Sequence, residues 1–421
     1  MSGPYRVLLV SDAFEPMIGG AERAVKSVAT ELTARGHAVA VATPWQPGLA
    51  AHETLDGIPV HRLRDLTSRI PWISDNPLRH TPPPFPDPEG VLRFRRLIRR
   101  FKPDLVHSYG WMTYSCAAAL VGSRIPLVLS MHDYGNVCAL RTLLHMGREP
   151  CTGAAPRKCL RCSTNHYGRV KGAAAVVGVL GSRSLLTRRA TGVQCNSRYT
   201  RSVTWRDLLA GRARFAPDSL ADAVIPPFDD HVPEGEPDRS ILDRLPESYI
   251  LFVGALRRVK GVHLLLEAHA RLTDPPPLVV VGTPEIDTPA SFPGVTVVES
   301  MPHATVMAAW DRALFGVFPS LAPEPFGIVV NEAMQRGRAV IGTTPGGHGE
   351  MIVHGETGLI VPSGDVGELA AAMSRLIEDP ELRERLGAAA AGRAELFTAD
   401  TWVPRVEGLY DAAVGTAEVT A

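Results

Sequence analysis

Residues 314–350 constrain this chain more than any other stretch. The apolar run from Leu314 to Phe318 predicts a buried strand of a parallel sheet. It stops at Pro319-Ser320, and a proline-punctuated loop carrying Glu324 follows. Phe326-Gly327 then opens a short helix with Ile328, Val329, Ala333 and Met334 on its inner side and Gly337 just past its end. This order aims a helix N-terminus at the carboxyl edge of the sheet. Free amides and the positive end of the helix dipole collect there and favour an anion, most often a phosphate. Glu324 precedes the helix and Glu332 lies within it. A carboxylate accepts two hydroxyl hydrogen bonds, which is how a diol is gripped. A phosphate site flanked by two diol readers suits a nucleoside-diphosphate sugar. The next strand, Ala339 to Thr343, delivers Gly346-Gly347, where bare backbone lets a ligand approach closely.

Composition narrows the class. The 421 residues leave room for two or three domains at ~150 residues each. Lysines and arginines number 44, as do acidic residues, so nothing pushes the chain toward nucleic acid. A hydrophobic share of 45% suits a globular α/β protein with a proper core. No apolar run reaches the ~18 residues of a membrane span. The chain turns apolar at once, so its start predicts a first strand and not a signal peptide. Six cysteines are too few for a disulfide scaffold of this size. A cytoplasmic enzyme is the expectation.

The first half opens as a βαβ unit: strand Arg6 to Val10, helix Ala21 to Arg35 stopped by Gly36, strand Ala38 to Ala42. Gly19-Gly20 stands at the helix start, a second anion-binding geometry. It lacks the G-x-G-x-x-G pattern, which disfavours a nicotinamide or flavin dehydrogenase. Residues 65–90, rich in proline and holding Trp72, Asn76, His80 and Phe85, have no period and predict a long loop. Val91 to Lys102 is a basic amphipathic helix with Phe94, Leu97, Ile98 and Phe101 on one side. Its arginines suit peripheral contact with an anionic membrane, or simply a solvated face over a core-facing stripe, and the second is preferred. Strands at Pro103 to His107 and Pro126 to Ser130 follow, the latter ending in Met131-His132-Asp133. A histidine at the carboxyl end of a parallel strand faces the ligand crevice; His132 holds such a place and His107 a similar one. Cys138, Cys151, Cys159 and Cys162 then fall close together, the last two as C-x-x-C. Four thiolates fit a tetrahedral structural zinc; unliganded thiols and a facultative disulfide are the alternatives. Cys116 and Cys195 lie on core elements.

Linker composition over 226–245 separates a first domain, residues 1–225, from a second, residues 246–398. The second begins with strand Tyr249 to Val253, a turn holding Arg258 and Lys260-Gly261, and a helix from Val262. Basic side chains in such a turn suit a diphosphate. Residues 399–421 close the chain as helix.

The run Glu324-Pro325-Phe326-Gly327 through Glu332 resembles the signature of the retaining GT-B glycosyltransferases, family 4 in particular, without a departure. Lys260-Gly261 is similar to their Lys-Gly turn, although Ala255 stands where the family has an arginine. The resemblance implies two Rossmann-like domains with parallel sheets facing an interdomain cleft, the acceptor bound by the first and the donor by the second, and a last helix crossing back to the first. It implies that Glu324 holds sugar hydroxyls beside the amides of Phe326 and Gly327. Glu332 would hold the ribose, and Lys260, with Arg258, Gly346 and Gly347, the diphosphate. Gly19 and Gly20 would close over the donor, His132 would contact the transferred hexose, and the segment Met301 to His303 would lie near the base. It implies transfer of a hexosyl group to an acceptor hydroxyl with no catalytic metal. A nucleotide-sugar 2-epimerase and a catalytically silent nucleotide-sugar-binding protein share the fold and are the alternatives.

Overall fold

The structure is a computed structural model and describes residues 3–16, 19–69, 80–210, 220–228, 235–284, 288, 292 and 294–419. In chain order its strands are β1 (Arg6–Ser11), β2 (Ala38–Pro44), β3 (His52–Leu55), β4 (Ile58–Leu63), β5 (Leu105–Tyr109), β6 (Leu127–Met131), β7 (Leu144–His145), β8 (Glu149–Pro150), β9 (Ala190–Cys195), β10 (Ala221–Val224), β11 (Tyr249–Val253), β12 (Leu278–Val281), β13 (Val295–Val298), β14 (Ala313–Val317), β15 (Ala339–Thr344) and β16 (Leu359–Pro362). Its helices are α1 (Gly20–Ala34), α2 (Pro88–Phe101), α3 (Met112–Ala119), α4 (Pro156–Tyr167), α5 (Arg169–Gly181), α6 (Arg183–Arg189), α7 (Arg198–Thr204), α8 (Arg239–Leu242), α9 (Val262–Ala270), α10 (His303–Trp310), α11 (Ile328–Gln335), α12 (His348–Met351), α13 (Val366–Glu378), α14 (Pro380–Ala394) and α15 (Ala399–Val419). They divide between two compact units. One comprises Met1–Met146, Cys151–Asp229 and Ala399–Ala421, the other Gly147–Pro150 and Asp230–Thr398.

The first unit is built on a sheet of order β10-β9-β6-β5-β1-β2-β4-β3, parallel throughout except for β3 against β4. Strands β5 and β6 are buried along their whole length, as continuous apolar runs in a doubly covered parallel sheet must be. The β3–β4 hairpin has no counterpart in the sequence expectation. Its two-residue loop is Asp56-Gly57, both at positive φ (48° and 80°), the strongest short hairpin signal there is. On α2 the stripe Phe94, Leu97 and Ile98 is buried, so the helix spends its apolar side on the core and points its arginines to solvent. The closing helix α15 belongs to this unit. Its Glu407 meets His37 at 3.1 Å, Tyr5 donates to its Asp411 at 2.8 Å, and Tyr410 Oη lies 2.8 Å from the buried His107 Nδ1.

The second unit is a six-stranded parallel sheet, β13-β12-β11-β14-β15-β16. Trp310 is fully buried in its core. The helix after β14 starts at Ile328, with Gly327 as its N-cap at φ 118°. Its inner face is Val330, Ala333 and Met334, while Ile328 and Val329 are only partly buried. Val329 still packs against the core of this unit, as expected, whereas Ile328 is outside that cluster.

Candidate active site

In the second unit the sheet's carboxyl edge gathers the residues singled out from sequence. β11 ends in the turn that carries Lys260 and Gly261. Gly261 has φ 76°, and a side chain there would strike the Pro319 carbonyl at the end of β14. The Lys-Gly pair therefore uses its glycine to bring two strand ends into contact. The turn is pinned from the other side by Leu321, whose amide donates to the Val259 carbonyl at 3.0 Å.

This contact places Lys260 Nζ 2.7 Å from Glu324 Oε1, and Ser320 Oγ donates to the same oxygen at 2.5 Å. Burial alone would push the Glu324 carboxyl up. The Lys260 charge, the nearby His348 and the two hydrogen bonds outweigh it and hold the carboxyl at about 2. Glu324 is thus ionised at any physiological pH, and its other oxygen, Oε2, has no partner among the described residues. His348 is buried and pushed down to about 4, so its imidazole is neutral. Its Nδ1 accepts from the Thr343 amide at 3.3 Å, which leaves the proton on Nε2, beside Gly327.

Gly346 and Gly347 lie against the loop that carries Glu324. A side chain at Gly346 would stand 2.7 Å from the Glu324 nitrogen, and one at Gly347 would stand 2.6 Å from the Pro325 carbonyl. The Gly347 amide donates to the Glu324 carbonyl at 2.6 Å. The glycines let the Pro323–Phe326 loop lie against them, so they shape the site through the loop. The first amides of α11, at Ile328 and Val329, have no acceptor within their own helix. Within α11, Glu332 is almost fully buried and its Oε1 lies 3.2 Å from His303 Nε2 at the start of α10. Arg258 is exposed and makes no ion pair among the described residues.

In the first unit the ends of β1, β5 and β6 form a second polar cluster. Asp12, just past β1, accepts from the Trp111 and Met112 amides that lead into α3, both at 2.8 Å. Arg141 reaches Asp12 Oδ2 at 3.0 Å and Asp133 Oδ2 at 2.5 Å. Burial would raise the Asp133 carboxyl, but the Arg141 charge and His132 hold it below the usual range. His132 follows β6, its ring 5.6 Å from that of Tyr109 and its Nδ1 buried without a partner. Gly19 is the extended N-cap of α1, with Gly20 as the first helical residue. Sequence reasoning missed Asp12, Tyr109 and Arg141. The strand-end position of Asp12 was a usable signal, whereas Arg141 sits in an irregular insertion that gives none.

Other expectations resolve as follows. His107 lies inside β5, buried and bonded to Tyr410, and burial pushes it down to about 3; it is a core histidine. Cys116 and Cys195 are fully buried, with thiols pushed up to about 12 by burial. In the 65–90 loop, His80 is held by Asp65 at 2.9 Å and by the Gln46 side chain, a structural clasp. Trp72 and Asn76 lie outside the described residues.

The four clustered cysteines lie near one another: Cys151 and Cys159 act electrostatically on both Cys138 and Cys162. Among the described residues no three His, Cys, Asp or Glu side chains are grouped so that they could hold a metal ion. The thiols instead satisfy local backbone. Cys162 Sγ accepts from the Met146 amide at 3.2 Å, and Cys151 Sγ donates to the Gly153 carbonyl at 3.4 Å.

Two family models match the chain: Glycosyltransferase Family 4 over residues 18–214 and Glycosyl transferases group 1 over residues 236–393. A D-inositol 3-phosphate glycosyltransferase of Pseudarthrobacter chlorophenolicus is 28% identical over 366 residues, 83% of this chain and 77% of the relative. A glycogen synthase of Mycobacterium tuberculosis is 27% identical over 412 residues, 92% of this chain and 90% of the relative. Among solved structures, sucrose-phosphate synthase from Thermosynechococcus elongatus has a TM-score of 0.70 at 21% identity, covering 96% of this chain and 98% of that one. Anabaena HepE in complex with UDP-glucose has a TM-score of 0.66 at 19% identity, covering 97% of this chain and 100% of that one. At such identities the likeness speaks for the fold, two Rossmann-like domains of the GT-B kind. The two family matches fall one in each unit and together take in most of the residues, and on that ground the chain belongs to the family 4, group 1 glycosyltransferases.

Proposed function

We propose that this glycosyltransferase moves a hexosyl group from a nucleoside-diphosphate sugar to an acceptor hydroxyl with retention of configuration at the anomeric carbon. The observation that carries the reading is the state of Glu324. Its carboxylate is held ionised at about 2, one oxygen is fixed by Lys260 and Ser320, and the other is open. A fixed, charged acceptor with a free oxygen beside a helix N-terminus is what a sugar hydroxyl next to a phosphate needs.

In this proposal Glu324 Oε2 accepts from sugar hydroxyls, and the leading amides of α11 at Gly327, Ile328 and Val329 face the diphosphate. Lys260, held beside Glu324, adds positive charge where the leaving diphosphate gains negative charge. Arg258, exposed and without an ion pair among the described residues, supplies a second cation. Glu332 holds the ribose, with His303 fixing its Oε1. His132, Gly19 and Gly20 serve the sugar and the acceptor from the first unit. The bond from the anomeric carbon to the diphosphate oxygen breaks, and a bond to the acceptor oxygen forms on the same face. The proton of the acceptor hydroxyl passes to the departing phosphate oxygen.

The test is thermal stabilisation by UDP-, GDP-, ADP- and dTDP-sugars, followed by NMR of the product's anomeric signal. A binding donor raises the midpoint in step with its affinity. If no nucleotide sugar shifts the midpoint, the donor assignment fails; a product of inverted configuration removes the retaining mechanism alone.

A further inference from the structure

From Pro150 to Arg206 the chain carries eleven lysines and arginines and no aspartate or glutamate, in a protein whose charges otherwise balance at 44 and 44. The helices α4, α5 and α6 lie in this stretch. The first two pack closely enough that a side chain at Gly172 would stand 2.5 Å from the Ser163 carbonyl oxygen. Helix α5 buries Ala175, Val176 and Val179 in the core of the first unit. It turns Val170, Ala174, Val177 and Gly181 to solvent, and their spacing puts them on one helix face. Val170 is 86% exposed and Val177 70%. Phe85, itself partly exposed, abuts this helix: a side chain at Gly178 would meet its ring at 2.9 Å. On α4 the exposed Leu160 sits between the exposed Arg157 and Arg161, and Arg169 and Arg188 are exposed near the two ends of the α5–α6 run.

The surface thus combines an outward apolar stripe with basic side chains that no acidic residue of the same elements can neutralise. Among the described residues Arg169–Arg189 is long and apolar enough, by length and composition, to cross a membrane. Crossing would pull Val176 and Val179 out of the core, whereas lying flat would bury only the stripe already exposed. Helix α2 is also basic, but its apolar side is spent on the core. We propose that the outer face of α4, α5 and α6 docks on the surface of an anionic lipid bilayer, with Val170, Val177 and Leu160 entering the headgroup boundary and the surrounding arginines meeting lipid phosphates. The proposal stands on charge complementarity and exposed apolar area, independently of the reaction catalysed.

Flotation of the full chain with phosphatidylglycerol–phosphatidylcholine vesicles, against phosphatidylcholine alone, tests it. The chain floats with the anionic vesicles, much less with the neutral ones, and binding falls as salt rises. Replacing Arg157 and Arg161 by alanine weakens partitioning by roughly fivefold per arginine. The pair Val170→Glu and Val177→Glu weakens it by roughly tenfold or more, with the thermal midpoint and the response to nucleotide sugar unchanged because both side chains are outside the core. Equal binding to neutral vesicles overturns the proposal, as does unchanged binding in either variant. So does a chain that ignores vesicles and self-associates through this face, seen as a dimer by sedimentation that the valine pair dissolves.

Discussion

Each unit gathers carboxylates and a cation at the ends of parallel strands, and the two gatherings differ in what they leave over. In the second unit one lysine and one serine hold a single oxygen of Glu324, and the other oxygen is open. In the first unit Asp12 is taken up by two amides and by Arg141, and Asp133 by the same arginine and the Gly135 amide. A carboxylate with a spare acceptor can bind something; one without a spare can only hold the chain in place. The same chemistry in the same fold position thus leaves one carboxylate oxygen free in one unit and engages every carboxylate oxygen in the other.

The comparison breaks most visibly at its two cations. Lys260→Ala should lower turnover by roughly a thousandfold, the scale of losing a fixed charge at the leaving group. The thermal midpoint should also fall, because the variant strands Glu324, which is 11% exposed, but by less than where two carboxylates lose their cation. Steady-state rates with a saturating donor decide it; a variant within a few-fold of wild type takes Lys260 out of the chemistry. Arg141→Ala should do the reverse. It strands two enclosed carboxylates and should cost about 3 kcal/mol of stability, while nucleoside-diphosphate binding to the second unit persists. Urea unfolding read alongside ligand binding separates the effects, and an unfolding midpoint equal to wild type refutes a holding role for Arg141.

How much of this could be seen beforehand depended on whether a feature is local. The Glu324 to Glu332 run, the Lys260-Gly261 turn and the strands beneath them are written in contiguous residues, so their type and place were legible. The partners that give Glu324 its character come from Ser320 and Lys260, which are 4 and 64 positions away. Only the first of those separations is visible in a local pattern. Arg141 was invisible for the same reason: it reaches Asp12 across 129 positions from a segment with left-handed residues at 141, 143 and 146. The cysteines are an intermediate case. Their spacing marks a cluster, and Cys151 and Cys159 do lie near both Cys138 and Cys162, but spacing does not encode where an insertion's backbone points the thiols. At 346 and 347 the sequence marks a place of close approach, and it does not show that the site's own loop lies there.

A smaller effect sharpens the second unit's side of the comparison. His348 is neutral when folded, with a pKa near 4 against an ordinary 6.5, because it is buried. A folded pKa below the unfolded one means that the unfolded chain takes up the proton first. The stability is full above pH 6.5 and is lost as pH falls toward 4, by about 3 kcal/mol from this group. The depressed Glu324 pair adds its own loss only lower, from about 4.5 down through 2. His348→Gln should therefore flatten unfolding stability between pH 6.5 and 4.5 relative to wild type. Equal slopes in that interval would mean that the imidazole is not enclosed as described.

The smallest expected change concerns Cys159, which together with Cys162 prompted the metal expectation. Cys159 lies on α4 and packs only partly against the core, and no three side chains around it converge on one point among the described residues. A liganding thiolate holds metal, loop and helix together, so its loss would unfold the insertion. A thiol that merely packs loses one polarisable contact, and serine is nearly its size. Cys159→Ser should accordingly cost less than about 1 kcal/mol, and a strong chelator should leave the wild-type midpoint where it was. Stoichiometric zinc in the purified chain, together with a large drop in stability for this variant, would establish a structural metal at the four cysteines. It would also mean that the first unit draws on a metal where the second relies on side chains alone.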